Sequence, residues 1–464
     1  MINKHESFNQ VDATRRTTEP NADSDFVRSQ NGGVPVDLVS RCMIASSPQE
    51  YLPDEVLRLI FVLIVEEYGP VEFPFPIHVV PPQVVLSHVC SRWRMLAIRS
   101  FELWNNIRLE TVDHSFNYYS GQPLQEWRLR AGNSTVFLSL GSAMSWSATD
   151  NKVADITQKT ISPFKAKMLH LNLTIGELMA LSKLQDSALS DTRDLGLTLT
   201  LSNYDENFSI AHRIFTRLQS VTFWKTALPP PDSGTEVVLV ERFPLPWSQL
   251  RCLTFAFPIT DSIPIIAVLR QTPMLQSLNF IFTLYKKHPL GHLGELIMPC
   301  LRTMVLEVGA RDLDKVLCNF TCPVLVNFTL TSPGSWTDET FEIIKRQYNM
   351  RGLLEIKFGG CHLPISVILK GAPLLRALYV NSSGDTTMDD DAITGISNGT
   401  LGRHLRRLLI KAYGIEDKII EMVETRKRMA DGLIENGCNW REAITVLTEV
   451  KVRWHGETWK ALLL

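Results

Sequence analysis

A recurring spacing of large apolar residues limits what this chain can fold into more than any other feature of its sequence. From about residue 165 onward, an apolar anchor is followed after two residues by a second apolar residue, and after one more by a third, as in Leu250/Leu253/Phe255. Side chains two apart on a strand share one face, so each copy predicts a short strand with one buried face. The predicted anchors fall at residues 168, 194, 218, 250, 275, 301, 325, 353, 375 and 405, with Asp194 counted as the anchor of a weaker copy.

The intervals between these anchors run from 22 to 32 residues, and a sustained period in the twenties is typical of leucine-rich repeats. A proline ends an incoming helix and favours extended backbone, and prolines stand two positions before four of the anchors, at Pro273, Pro299, Pro323 and Pro373. Helices are predicted between the strands, at residues 263–270, 313–320, 339–348, 365–369 and 416–429.

We therefore expect an α/β fold, an irregular leucine-rich-repeat-like solenoid of parallel strands and helices. A closing strand is predicted at Leu447/Val450/Val452. A compact α/β domain with Leu-rich buried strands is the alternative, because the units vary in length and lack the regular Asn after the strand.

The first part of the chain has a different composition. Residues 1–47 are polar, so they cannot bury enough surface to offset the entropy of ordering, and we expect a disordered arm. From Leu52 onward, Pro53 suits the first turn of a helix, and one helix face carries Val56, Leu57, Ile60, Phe61 and Ile64. A Pro-rich insert at about 69–82 follows, and a second helix is predicted at residues 83–99.

Several short motifs follow one another in this region. Leu52-Pro53 precedes the amphipathic DEVLRLIF, and VCSRWRMLA and SFELW come after the insert. In order and spacing these motifs resemble the F-box family. The insert departs from the family pattern and looks like the expanded inserts of F-box proteins in mushroom-forming fungi, and LQEWRLRAGNSTVFLSL after the box also resembles that fungal group. We therefore expect a small all-α F-box domain at residues 48–110, followed by a repeat body at 111–464.

The resemblance implies a chain that binds a Skp adaptor through its F-box, joins a cullin scaffold of a ubiquitin ligase through that adaptor, and holds an unknown target protein on its repeat body. Three helices in about 55 residues cannot bury all their large apolar side chains, so part of them should meet a partner. The residues expected to form the F-box core and its adaptor-binding face are Leu52, Pro53, Val56, Leu57, Ile60, Val85, Val89 and Trp93. An interaction protein that binds the adaptor outside a ligase is the alternative.

Target binding is expected on the concave face of the repeat body. Residues between the buried positions of each strand point outward, and strands about 4.8 Å apart would align them across repeats. Aromatic residues with a polar edge are enriched at interfaces, which favours Trp224 and Tyr379. The other candidates are Asn279, Glu307 and Lys357.

The sequence predicts a binding protein without a cofactor or metal rather than an enzyme. It contains no phosphate-binding loop, nucleophile elbow, H-E-x-x-H motif or Gly-rich dinucleotide turn. The acidic run at 389–391 is interpreted as a solvated loop rather than a cation site. The basic cluster of Arg403, Arg406 and Arg407 is interpreted as a solvent-facing or partner-facing charge group.

Composition argues against two further classes of partner. Lys and Arg number 47 against 49 Asp and Glu, a net charge of −2, so the chain has no overall field to hold a nucleic acid. No apolar run reaches the roughly 18 residues that span a bilayer, and the first residues lack the apolar core of a secretory signal. We therefore expect no membrane partner, and a location in the cytoplasm, the nucleus or both.

Overall fold

The computed structural model describes the chain in seventeen stretches, which are residues 52–73, 80–110, 122–132, 137–141, 165–174, 189–200, 215–227, 245–259, 263–282, 295–308, 313–332, 338–360, 363–381, 388–411, 415–435, 444–453 and 460–462. The predicted arm at 1–47 lies outside the described residues, as does part of the Pro-rich insert. The chain divides after Pro53, and every element named below belongs to the unit Asp54–Leu464.

One large sheet organises the described chain. Its fifteen strands stand side by side in sequence order, all parallel to their neighbours except the last, which is antiparallel. These strands are β1 Val71–Phe73, β2 Asn106–Glu110, β3 Phe137–Gly141, β4 Met168–Thr174, β5 Asp194–Thr200, β6 Ser220–Ala227, β7 Cys252–Ile259, β8 Ser277–Phe282, β10 Thr303–Val308, β12 Asn327–Thr331, β13 Glu355–Gly359, β14 Ala377–Asn381, β15 Arg407–Lys411, β16 Glu449–Arg453 and β17 Lys460–Leu462. Two short strands, β9 Leu296–Ile297 and β11 Phe320–Thr321, pair separately.

Helices precede the sheet and connect its strands. In the described residues they are α1 Asp54–Tyr68, α2 Pro82–Val89, α3 Ser91–Arg99, α4 Gln122–Ala131, α5 Ile263–Arg270, α6 Leu313–Leu317, α7 Asp338–Gln347, α8 Ile365–Gly371, α9 Asp390–Ser397 and α10 Glu416–Glu435. A strand order that follows the sequence is the mark of a solenoid, in which each unit packs on its neighbours alone, whereas a compact α/β sheet usually shuffles its strands. The fold is therefore an α/β, leucine-rich-repeat-like solenoid, as the anchor spacing predicts.

The predicted anchors from Leu218 onward are confirmed as core residues. The anchors and the two apolar positions after them are buried in every unit from Leu218 to Ile410, and again at Leu447, Val450 and Val452. These side chains stack in register between neighbouring strands, for example Leu278 beside Met304 and Phe280 beside Leu306. The spacing therefore predicts both the strands and their buried face correctly over this part of the chain.

The first two predicted anchors are wrong by two residues. Met168 is 40% exposed, and pairing aligns Leu169 with Leu195 and Leu195 with Val221. The anchor positions are therefore Ala166 and Thr192, both buried, with Thr192 Oγ1 donating to the Ala166 carbonyl at 3.0 Å. A small residue and a polar one fill these positions, so a search for large apolar anchors passes over them.

The predicted second helix is two helices. Cys90 between α2 and α3 has extended backbone, and its Sγ accepts the Trp93 N–H at 3.4 Å, which caps α3. The acidic run is also not a solvated loop. Asp389 Oδ1 accepts the Ser366 N–H at 3.1 Å at the start of α8, while Asp390 and Asp391 form the first turn of α9, where the helix dipole favours them.

The sheet begins earlier than the sequence pattern predicts. β1 lies within the Pro-rich insert and pairs with β2, and β2 pairs with β3 across the predicted boundary at residue 110. Trp104 is fully buried and stands three residues before Ile107 and five before Leu109, which is the anchor spacing again. The boundaries at 47 and 110 stay predictions, but the sheet itself crosses residue 110 without a break.

Candidate functional site

Helix α1 has two apolar faces. Leu57, Phe61 and Val65 form the first, which is buried, and Phe61 packs on the Trp93 ring with centroids 4.8 Å apart. The second face remains exposed although it is equally apolar, and its members are Val56, Leu59, Ile60, Leu63 and Ile64. A helix that is apolar nearly all round is normally buried all round, so this face lacks the cover that its composition indicates.

Helices α2 and α3 expose further apolar side chains. Those on α2 are Val85 and Val89, those on α3 are Met95 and Ile98, and Phe101 follows in the next turn. We call these residues, together with the exposed residues of α1, the helical face. Leu63 is the most exposed residue of this face, with 64% of its surface accessible to solvent, which is a large fraction for a leucine.

The motif residues join these helices to one another. Arg92 donates to Asp54 through Nε and Nη2, at 3.0 and 2.7 Å, and so joins α3 to α1. Arg94 Nε donates to the Ser87 carbonyl at 2.9 Å. The indole N–H of buried Trp104 donates to the Ala97 carbonyl at 2.8 Å. The polar and aromatic residues of the motif therefore orient the helices, and the apolar residues between them are left to face outward.

The structure separates the predicted adaptor residues into two groups. Leu57 is core, and Trp93 is half-buried against Phe61. Pro53 is exposed and Leu52 is half-buried, while the predicted helix residues on the outer surface are Val56, Ile60, Val85 and Val89. Leu59, Leu63, Met95, Ile98 and Phe101 are also exposed on these helices but are not among the predicted residues. Leu59 lies off the buried face of DEVLRLIF and Leu63 follows two residues after that motif, so both are visible in the sequence as surplus apolar residues.

The second surface is the face of the sheet that carries the outward side chains, which we call the open face. Burial alternates along its strands, as in β10, where Met304, Leu306 and Val308 are buried and Glu307 is exposed. One outward residue from each strand pairs in register with the next from β4 to β16, in the order His170, Gly196, Thr222, Thr254, Asn279, Val305, Thr329, Lys357, Tyr379, Leu409 and Lys451.

The early part of the open face is aromatic. His170 Nε2 lies 2.9 Å from Thr198 Oγ1, and its ring is 6.4 Å from the ring of Trp224, which is 48% exposed. A Cβ at Gly196 would lie 2.9 Å from His170 Cδ2, so a larger residue there would displace the imidazole, which crosses β5 at this point. Burial, and next the charge of Arg108, lower the pKa of His170.

The late part of the open face is charged. Lys357 Nζ lies 4.9 Å from the centre of the Tyr379 ring and 2.8 Å from Glu355. A hydrogen bond with the Tyr379 side chain, and then the charges of Tyr379 and Glu449, raise the pKa of Arg407. Glu449 also pairs with Lys451 at 2.5 Å, and the hydrogen bond from that lysine lowers the pKa of Glu449. Between these two parts, the paired row holds small or uncharged residues, namely Thr254, Asn279, Val305 and Thr329.

All five predicted target residues lie on this face. Trp224, Glu307 and Lys357 are exposed, while Asn279 and Tyr379 are half-buried. Lys357 and Tyr379 are neighbours on β13 and β14, whereas Trp224 is several strands away on β6. The five therefore mark separate parts of one surface rather than a single pocket.

Metal ligation and membrane crossing are two further possibilities for the described part of the chain. No group of three or more His, Cys, Asp or Glu side chains there could hold a metal ion. No helix among those stretches is long and apolar enough to cross a membrane.

Comparisons with known proteins do not identify a family for this chain. No protein-family model matches the chain, and no curated protein matches it. Among solved structures, the chain is similar to an internalin from Listeria monocytogenes, at 12% sequence identity and a TM-score of 0.28, over 67% of this chain and 76% of that chain. Because that likeness is too weak to bear on fold or function, the solenoid stands on the pairing of its own strands.

Proposed function

We propose that this chain is a substrate-recognition subunit of a ubiquitin ligase, in which the helical face binds a Skp adaptor and the open face of the solenoid holds a target protein. The observation that carries the proposal is the exposed apolar face of α1 to α3, on the same helices that bear the F-box-like motifs. The adaptor in turn joins a cullin scaffold.

Exposed apolar area is the physical support for adaptor binding. Burying it against a partner contributes roughly 25 cal/mol per Å², and a stable interface of standard size buries about 800 Å² on each partner. The inner faces of α1 to α3 are already packed in the core at the end of the sheet. These helices can therefore present their outer faces to a partner without rearrangement, which reduces the entropy lost on binding.

Catalysis would belong to other subunits in this assembly. The chain would hold the target near the ubiquitin-carrying enzyme and so raise its effective concentration there. An adaptor-binding protein outside a ligase differs in one respect, because it would co-purify with the adaptor but not with a cullin.

The first test changes the helical face without touching the core. Ile60→Asp with Leu63→Asp places charges at exposed positions, so the fold should survive while the affinity for purified Skp adaptor falls at least about tenfold. Isothermal titration calorimetry measures the affinity. Leu129→Asp is the matched control, because Leu129 is an apolar residue of α4 that is 69% exposed outside the helical face. Undiminished adaptor binding by the double variant would refute the assignment.

A second variant tests the opening motif. Leu52→Ala with Pro53→Ala should weaken adaptor binding and leave the thermal unfolding of the repeats unchanged. Co-purification from cell extract then shows whether a cullin accompanies the adaptor. Adaptor without cullin would support the role outside a ligase.

A further inference from the structure

The residue directly after each buried anchor makes the same backbone hydrogen bonds from unit to unit. Its carbonyl oxygen accepts two N–H groups from the next unit, as the Arg193 carbonyl accepts those of Gln219 and Ser220 at 2.7 and 2.9 Å. With its backbone held in this ladder and the anchor side chain turned inward, its own side chain is directed away from the core. From β4 to β16 the position holds Lys167, Arg193, Gln219, Arg251, Gln276, Arg302, Val326, Leu354, Arg376, Arg406 and Thr448.

Cations are strongly over-represented at this position. In a chain with 47 Lys and Arg among 464 residues, eleven positions would hold about one cation by chance. Six of the eleven are cations and none is acidic. Five of them, which we call the arginine row, are exposed and form no ion pair within the described residues: Arg193, Arg251, Arg302, Arg376 and Arg406.

The stacking of the strands spaces this row regularly. Neighbouring strands are about 4.8 Å apart, so Arg193, Arg251 and Arg302, which alternate with Gln219 and Gln276, follow one another at about 10 Å. An extended polypeptide covers that distance in about three residues. Arg376 and Arg406 stand on adjacent units further along the same edge.

Apolar side chains accompany the arginines on the other side of the buried anchor. Met274, Val324 and Leu374 each stand directly before an anchor and after a proline, and each is between 41% and 48% exposed. Around Arg251 and Arg302 the first residues of the strands are uncharged, namely Cys252, Ser277, Thr303 and Asn327. The edge where the strands begin is therefore basic and apolar together around Arg302, whereas at the end of the row Asp191 and Asp194 stand beside Arg193 in the chain, and the charge of Asp194 reaches Cys252 next to Arg251.

We propose that the arginine row binds an acidic protein segment that also carries apolar side chains, which deepens the proposed function by defining the class of target. Guanidinium groups bind carboxylates in a bidentate geometry, and the exposed Met, Val and Leu side chains give the partner's apolar residues a place to pack. A single-stranded nucleic acid would need aromatic residues for its bases to stack on. The positions directly before and after the anchors from β4 to β16 hold no Phe, Tyr or Trp.

Fluorescence anisotropy with the full-length chain tests this proposal. The probes are a labelled peptide of about 20 residues rich in Glu, Asp and Leu, the same peptide with Leu replaced by Ser, the same peptide with the acids replaced by their amides, and a single-stranded oligonucleotide. We expect the first peptide to bind most tightly. Arg251→Glu with Arg302→Glu should weaken its binding at least about tenfold at low salt, and less at high salt.

Matched variants keep the result interpretable. Lys427→Glu with Arg428→Glu makes the same charge change at exposed positions of α10 and should leave the affinity within about twofold. Arg251→Gln with Arg302→Gln removes the charge without reversing it and covers the case in which the reversed pair fails to fold. An unchanged affinity in the Arg251 and Arg302 variants, equal binding of the Ser peptide, or tighter Arg-dependent binding of the oligonucleotide would each overturn the proposal.

Adaptor binding is measured on the same preparations. If the wild-type chain does not bind the Skp adaptor but binds the acidic peptide through Arg251 and Arg302, the proposed ligase role fails and the arginine row stands. If the adaptor binds and the peptide binding does not depend on these arginines, the row alone is refuted.

Discussion

Side chains on the open face are held to different degrees, and His170 is held by contacts on several sides. Its imidazole crosses β5 above Gly196, contacts Thr198 and lies near Trp224. A ring in this position loses water on one side and has the cation of Arg108 in its neighbourhood, so the neutral form is favoured.

His170 should therefore make the fold sensitive to acid. Because its pKa is lower in the folded chain than in the unfolded chain, the unfolded chain binds more protons at pH values between the lowered pKa and about 6.5. Stability should fall as the pH drops through this window and be fully restored above it. His170→Gln should reduce the loss between pH 7.5 and 5.5, measured by thermal unfolding followed by circular dichroism. Identical losses in both proteins would contradict this assignment.

Two tryptophans test the strand register at the residue scale. Trp224 points outward from β6 and is 48% exposed, so Trp224→Ala should change the free energy of unfolding by less than about 1 kcal/mol. Trp247 is buried and lies 6.4 Å from the Phe223 ring, so Trp247→Ala should cost about 3–5 kcal/mol. Urea denaturation measures both. If Trp224→Ala is the more destabilising change, β6 is turned the other way and the predicted target face is wrong.

Among the elements, α10 packs apolar residues into the core and also carries a buried cation that joins it to its neighbours. Arg426 donates hydrogen bonds to the carbonyls of Thr445, Ile396, Gly402, Arg403 and Leu405. These carbonyls belong to the end of α9, to the turn before β15 and to the segment before β16. Burial lowers the pKa of Arg426 to about 10, which still leaves the guanidinium charged at neutral pH.

Loss of this guanidinium should loosen the last units. Arg426→Met keeps most of the volume but leaves buried carbonyls without donors, which should cost about 2–3 kcal/mol. Lys427→Met is the matched control at the next, exposed position, and should stay within about 0.5 kcal/mol. Urea denaturation measures both changes. Equal stability of the two variants would show that the carbonyls find other partners.

At the scale of the whole molecule, the helical segment and the solenoid are structurally continuous. β2 lies within the predicted F-box and places Ile107 and Leu109 beside Leu138 and Leu140 of β3. Removing the residues before 111 would therefore uncover the edge of β3 and the apolar residues behind it.

A chain of residues 111–464 should consequently be less stable than the full chain and should associate. Light scattering coupled to size-exclusion chromatography, together with thermal unfolding, measures both effects. The Ile60→Asp, Leu63→Asp variant is the control, because it changes the surface of the same segment without removing a strand. A monomeric truncated chain with an unchanged unfolding temperature would show that the segment before 111 is an independent domain.

Much of the solenoid can be predicted from spacing alone. The anchors from Leu218 to Leu405 identify their strands because a large apolar residue is needed wherever one unit stacks on the next. The five helices predicted between strands agree with the structure to within a few residues, apart from α10, which continues to Glu435, and α6, which ends at Leu317 before Phe320 begins β11. α4 and α9 also lie between strands and are not predicted, the start of α9 having been interpreted as a solvated loop. Ala166 and Thr192 escape prediction, since a small or polar side chain at an anchor leaves no apolar pattern to detect.

The sequence by itself determined the repeating strands, their buried face and the outward position of Trp224, Lys357 and Tyr379, because these follow from alternation and period, which are local properties. The tertiary structure alone decided which apolar residues of α1 are buried, since Leu57 and Ile60 differ only in what packs against them. It also decided that Arg193 belongs to one row with Arg251 and Arg302. Arg251 and Arg302 directly follow the predicted anchors Leu250 and Leu301, but Thr192 is not a large apolar residue, so only the hydrogen bonds between β5 and β6 show that Arg193 occupies the same position in its unit.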